Sequence, residues 1–154
     1  MQSVTPMIAY EDVAAMVGWL EKAFGFKENL RYTEPDGGVS HAELDVGDGS
    51  IVMLGNPGPA YRSPAGHEQE CEIARRTLDT PYIVDGVHVY VADVDAHFAS
   101  AQAAGAAILS EIEDQGYGDR SYGVADPEGH RWMFAQRIHD VSPADWGAAS
   151  APAG

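Results

Sequence analysis

Residues 126–137 read DPEGHRWMFAQR, and the reading of this stretch decides the fold. Asp, Pro and Gly stand at its first, second and fourth positions, the residue order a type I turn prefers. Pro127 fixes φ and the Asp126 carboxylate can cap the turn. The strand that follows alternates: Trp132 and Phe134 point one way, Arg131, Met133 and Ala135 the other. Two large aromatics on one face call for a covering helix. The smaller, more flexible opposite face is suited to line a cavity.

Upstream, Ser121–Ala125 reads as a strand and Gly116, Gly118 and Asp119 as a turn. Ala107–Ile112 is a further strand. Before it, Asp93 and Asp95 open a helix with Val94, Phe98 and Ala101 on its apolar face and Gly105 at its end. Val84–Val91 is the strand that begins this unit. The first half of the chain repeats the order. Val4–Tyr10 reads as a strand, and Val13, Met16, Val17, Leu20 and Phe24 recur at helical spacing up to a Gly25 cap. Strands follow at Phe26–Thr33, Val39–Val46 and Ser50–Leu54. In the middle one, Ala42, Leu44 and Val46 face one side, His41, Glu43 and Asp45 the other. Both halves therefore read βαβββ, and duplication explains this better than two unrelated domains. The expected organisation is a first module over 1–55, a linker over 56–82, a second module over 83–138 and a mobile tail over 139–154, all in one compact domain. The linker carries Pro57, Pro59, Pro64 and Pro81, with a short polar helix expected at Glu68–Leu78. In the tail, Trp146 is the residue suited to dock on the body.

The chain has 154 residues, is 45% hydrophobic, and carries a formal net charge of −15. It is long enough to bury a core. The acidic balance argues against nucleic acid and anionic membrane surfaces, which are bound through basic patches. It allows attraction of a cationic ligand. The lone Cys71 precludes an internal disulfide and fits a reducing cytoplasm. No apolar run is long enough to span a membrane, and no secretory signal pattern opens the chain.

Three stretches carry a family resemblance: VADVD at 91–95, AAGA at 103–106 and YGVADPEGHRW at 122–132. With the duplicated element order, the chain resembles the vicinal oxygen chelate superfamily over about Val4 to Arg137. That superfamily includes glyoxalase I, extradiol dioxygenases, fosfomycin-modifying enzymes and bleomycin-binding resistance proteins. The resemblance implies an α+β fold of two βαβββ modules, a curved mixed sheet around a concave cavity, often completed in a dimer. Its metal enzymes place a His or Gln on the first strand, a Glu on the fourth, a His on the fifth and a Glu on the eighth. Here those positions hold Thr5 or Met7, Met53, His88 and Met133. Only His88 matches. Thioether sulfur is a poor ligand for hard or borderline ions, so no metal and no cofactor are expected.

The residues expected to line a ligand cavity are Met7, His41, Glu43, Met53, His88, Tyr90, Arg120, Tyr122 and Met133. His41 and Glu43, two apart on one strand, approach one pocket or form a solvated polar face. Joined by His88, they also form a conceivable relocated metal site. Arg120 and Tyr122 alternate to one side of the seventh strand, where they can meet a carboxylate or a ring. His130 reads as a hydrogen bonder supporting the fold, and no catalytic residue is legible. Three function classes stay open. The first is metal-free binding of a small molecule, with a cationic or aromatic antibiotic among the candidates, by a homodimer. The second is a metal-dependent lyase, isomerase or dioxygenase built around His88. The third is an interaction protein with a disused cavity. The first is preferred, because methionines stand where the enzymes keep carboxylates.

Overall fold

Local signals start and stop the helices. The computed structural model describes residue 2, residues 4–78 and residues 86–149. After strand β1 (Met7–Ala9), the Asp12 carboxylate accepts from the Ala15 N–H at 2.9 Å and opens helix α1 (Val13–Phe24). Gly25 closes that helix at φ 72°, a left-handed conformation that favours glycine. Strands β2 (Lys27–Thr33), β3 (Val39–Gly47) and β4 (Ser50–Gly55) complete the first module. Helices α2 (Pro64–Glu70) and α3 (Glu72–Leu78) occupy the connection. The second module is β5 (Gly86–Tyr90), α4 (Val94–Ala103), β6 (Ala107–Asp114), β7 (Asp119–Ala125) and β8 (Arg131–Arg137). Asp93 caps α4 as Asp12 caps α1, accepting from the Ala96 N–H at 2.9 Å.

The two modules have one topology. Their sheets run β1-β4-β3-β2 and β5-β8-β7-β6, each with one parallel pair, β1 with β4 and β5 with β8. In the first sheet Ala42, Leu44, Val52 and Leu54 are buried on the face that meets α1. In the second, Trp132 and Phe134 are 2% and 0% exposed, beneath helices as their alternation requires. One core serves both modules. The Phe24 ring lies 4.7 Å from Phe134, and Phe26 lies 5.4 Å from Trp132. From α4, His97 Nε2 is 3.0 Å from the Phe24 carbonyl, and Nδ1 is 2.7 Å from the Tyr122 hydroxyl. The carbonyl can only accept, so Nε2 carries the proton and the neutral ring accepts from Tyr122 at Nδ1. Burial holds the His97 pKa below its ordinary value.

The 126–129 turn is a structural hub. Gly129 N–H donates to the Asp126 carbonyl at 2.9 Å and closes it. Asp126 Oδ1 accepts from the N–H groups of Glu128 (3.1 Å) and His130 (3.0 Å). Its Oδ2 accepts from the Tyr10 hydroxyl (2.7 Å) and Trp132 Nε1 (3.1 Å). The turn thus ties the second module to the first. Glu128 reinforces the tie, accepting from the N–H groups of Glu11 and Asp12 at 2.7 and 3.0 Å. His130 supports the fold as expected, with Nε2 2.7 Å from the Ala9 carbonyl.

Several expectations shift. The first strand begins at Met7 rather than Val4. The linker holds two helices rather than one, parted at Cys71, which is extended at φ −136°. The Ser63–Pro64 pair is the start signal the sequence reading passed over: Ser63 Oγ accepts from Gly66 N–H at 3.1 Å, and Pro64 occupies the first turn. The expected strand start at Val84, the linker end and the last residues of the tail lie outside the described residues. Within the tail, Pro143–Trp146 forms a 3-10 turn, and Trp146 packs edge-on to Tyr117 at 5.9 Å. Among the described residues no helix is long and apolar enough to cross a membrane.

Candidate functional site

The helix-free faces of the two sheets carry most of the residues singled out from sequence. Strand register sets them in rows. Met7 pairs with Met53, and Met53 with Glu43, so the three stand side by side across the first sheet. His41 lies next along β3, its Nε2 3.7 Å from Glu43 Oε1. In the second sheet His88 pairs with Met133, and Tyr90 pairs with Ala135. The rings of His88 and Tyr90 are 5.0 Å apart.

Tyr122 and Arg120 do not join them. Tyr122 pairs with Phe134, is 1% exposed, and faces the helix side. Burial raises its hydroxyl pKa. Arg120 shares that side, paired with Asp95 at 2.9 Å and Asp114 at 2.7 Å. Hydrogen bonds to those carboxylates raise its pKa further, so it ties α4 to the sheet. Pairing of β7 with β8 across the turn places both. A turn that closes Ala125 against Arg131 sets Tyr122 opposite Phe134, on the aromatic face.

A groove of about 490 Å³ lies over the helix-free face of the second sheet. His88 and Tyr90 form one side. Asp119 and Arg137, register partners on β7 and β8, form its floor. Tyr90 donates to Asp119 Oδ2 at 2.7 Å, and this bond to a carboxylate raises the tyrosine pKa. Arg137 Nε sits 3.0 Å from Asp119 Oδ1, as an ion pair rather than an aligned hydrogen bond. Arg137 Nη1 donates to the Tyr117 carbonyl at 2.8 Å. Tyr117 and the tail residues Val141, Pro143 and Trp146 close the opposite side. Sequence reading assigned Asp119 to a turn and left Tyr117, Arg137 and Trp146 outside the site. Arg137 was within reach, since it continues the alternation of Met133 and Ala135. A second cleft of about 270 Å³ runs along the seam between the modules, where Met7 and Ala9 meet Gly86 and Val87.

A family model described as glyoxalase/bleomycin resistance protein/dioxygenase superfamily matches residues 3–134. The chain belongs to this superfamily. An uncharacterized protein of Mycobacterium bovis is 34% identical over 156 residues, covering 99% of this chain and 94% of that protein. The crystal structure of TioX from Micromonospora sp. ML1 is 34% identical, covers 92% of this chain and 100% of that one, and superposes with a TM-score of 0.65. A glyoxalase/bleomycin resistance protein/dioxygenase family enzyme from Burkholderia phytofirmans shares the fold at 20% identity and a TM-score of 0.58, over 86% and 95% of the two chains.

The superfamily's metal enzymes give the rows above a chemical test. The pairs Met7–Met53 and His88–Met133 occupy strands one, four, five and eight, equivalent by the internal repeat. Their donors are three thioethers and one imidazole. That set does not fit a divalent ion of the hard or borderline kind, which takes carboxylate and imidazole. His41, Glu43 and His88 are not gathered into a substitute: among the described residues no group of three or more His, Cys, Asp or Glu is placed to hold an ion.

Proposed function

We propose that this protein binds a flat aromatic small molecule, cationic by preference, and sequesters it without a metal and without turnover. The observation that carries this reading is the donor set at the four superfamily positions, Met7, Met53, His88 and Met133. Three methionines make an apolar, adaptable surface, with little to polarise or attack a bond. Polar groups sit around it: His41 and Glu43 on one sheet, His88 and Tyr90 on the other. Such a surface holds a ring by burial and orients it by hydrogen bonds. The net charge of −15 speeds capture of cations. The superfamily description includes bleomycin resistance proteins, which agrees with an antibiotic as ligand.

The working unit in this reading is a homodimer in the cytoplasm. Met7 and Leu30, 69% and 47% exposed on the first sheet, are apolar groups that twofold pairing would cover. Light scattering at tens of micromolar (roughly the range in which a standard-size interface persists) should show a dimer, and a monomer there removes this part of the proposal.

The binding test is a titration of cationic aromatic antibiotics, followed by tryptophan fluorescence and repeated with the double variant Met53→Glu plus Met133→Glu. Expected is saturable binding without turnover in the parent, weaker at high salt, and a large loss of affinity for apolar ligands in the double variant. Multiple turnover by metal-free protein refutes sequestration. A stoichiometric metal whose loss on His88→Ala also removes activity establishes the lyase, isomerase or dioxygenase reading instead.

A further inference from the structure

The matched region of the superfamily ends at residue 134, yet the groove on the second sheet is closed by residues beyond it. We infer that the tail around Trp146 is part of the ligand site, and that Trp146 is the residue on which a planar aromatic cation stacks. This rests on the sequestration reading and sets its site on the second sheet, where His88 and Tyr90 line the groove and the three methionines do not.

The tail is held in place by definite bonds. The N–H groups of Ile138 and His139 both donate to the Gly118 carbonyl at 3.0 Å. Gly118 has φ 98°, and a Cβ there would stand 2.2 Å from the His139 carbonyl oxygen, so the tail can lie this close only against glycine. Val141 and Pro143 then carry the chain along the groove to the 3-10 turn. Ser142 Oγ donates to Asp145 Oδ2 at 2.7 Å, bracing that turn. Trp146 rests with its ring edge-on to Tyr117, so the indole is placed by a neighbour rather than free to swing.

The groove's chemistry selects its occupant. Trp146 is 48% exposed and Tyr90 56% exposed. Both rings also line the groove. Large aromatic surface left in water beside a cavity gains most from a flat partner, and an indole face attracts a cation more than any other aromatic side chain does. At the floor, Asp119 and Arg137 neutralise each other at 3.0 Å. The floor therefore offers no net charge to an incoming group, and the ring faces and the acidic surface decide the sign. A volume of about 490 Å³ accommodates a fused-ring compound. Among the described residues, the tail segment Val141–Trp146 lines this groove on the second sheet, so the two modules differ as binding surfaces.

The experiment uses proflavine, a planar aromatic cation, with the full-length protein. Dye fluorescence anisotropy reports affinity, so tryptophan can be varied freely. The variants are Trp146→Ala, Trp146→Phe and Tyr32→Ala, the last removing an equally exposed ring (57%) from the first sheet. Expected are binding about tenfold weaker in Trp146→Ala, recovery to within about threefold in Trp146→Phe, and no change in Tyr32→Ala. In the parent, bound dye should shield the exposed Trp146 from acrylamide, while Trp19 and Trp132 quench as before. Circular dichroism confirms that each variant is folded. If the parent binds proflavine and Trp146→Ala binds it equally well, the tail has no part in the site and sequestration stands elsewhere. If the parent binds neither proflavine nor any member of the antibiotic panel, both readings fall.

Discussion

Replacing Asp126 with alanine should be among the most destabilising single changes in this chain, and its cost can be worked out from the structure. The side chain accepts four hydrogen bonds and the residue is 4% exposed. The donors are unequal. The backbone N–H groups of Glu128 and His130 belong to half-buried residues and can turn to water. The Tyr10 hydroxyl and Trp132 Nε1 belong to side chains 0% and 2% exposed and cannot. A buried donor left unpaired costs about 1–3 kcal/mol, so two cost about 2–6 kcal/mol before the turn itself loosens. We expect about 4 kcal/mol in total, a fall in Tm of roughly 10 °C for a chain of this size. Asp126→Asn should cost less, since it keeps one oxygen acceptor but turns an amide N–H toward donors. Tyr10→Phe removes one donor and leaves the other three bonds, at about 1.5–3 kcal/mol for a bond to a charged acceptor. Urea denaturation followed by near-ultraviolet circular dichroism measures all three. The double variant Asp126→Ala plus Tyr10→Phe should be less destabilised than the sum, because one orphaned donor is gone. A cost below about 1 kcal/mol for Asp126→Ala at unchanged m-value would refute this account, since water would then replace the carboxylate at no penalty.

His97 makes stability depend on pH. Its folded pKa is depressed, so the unfolded chain binds the proton more tightly. Stability from this group is complete above the ordinary histidine value of 6.5 and is lost as pH falls through it; His97→Gln should flatten the slope of unfolding free energy between about pH 7 and 5.5. Gly129→Ala places a methyl 2.8 Å from the Ala65 nitrogen at φ 89°, a strained conformation as well as a clash. It should cost about 1–3 kcal/mol by thermal denaturation and loosen α2, which amide hydrogen exchange around residue 65 would show.

Much of the architecture is local and was legible from the chain alone. Asp12 and Gly25 bound a helix whose apolar residues recur at the right spacing, and Asp93 opens its counterpart. The alternation of β8 put Trp132 and Phe134 on the buried face. Such patterns are readable because each records one element's contact with a single layer, and the repeat states them twice. Met53, His88 and Met133 were legible for the same reason, while on the first strand Thr5 and Met7 stayed open until register set Met7 beside Met53.

What a residue faces across the fold is a different kind of information. Alternation sorts β7 into two sets but does not say which set meets the helix; pairing with β8 decides that, and it sends Tyr122 and Arg120 away from the groove. Neither the tie from Asp126 to Tyr10 nor that from His97 to Phe24 has any local signature, because each spans more than 70 residues of chain. The placement of Trp146 over Tyr117 depends on the tail crossing at Gly118, in a segment without periodicity. Local chemistry determined which elements form and which side of each is apolar. Only the tertiary packing decided which polar and aromatic side chains share a groove, because that depends on long-range register and on contacts between segments that have no pattern in common.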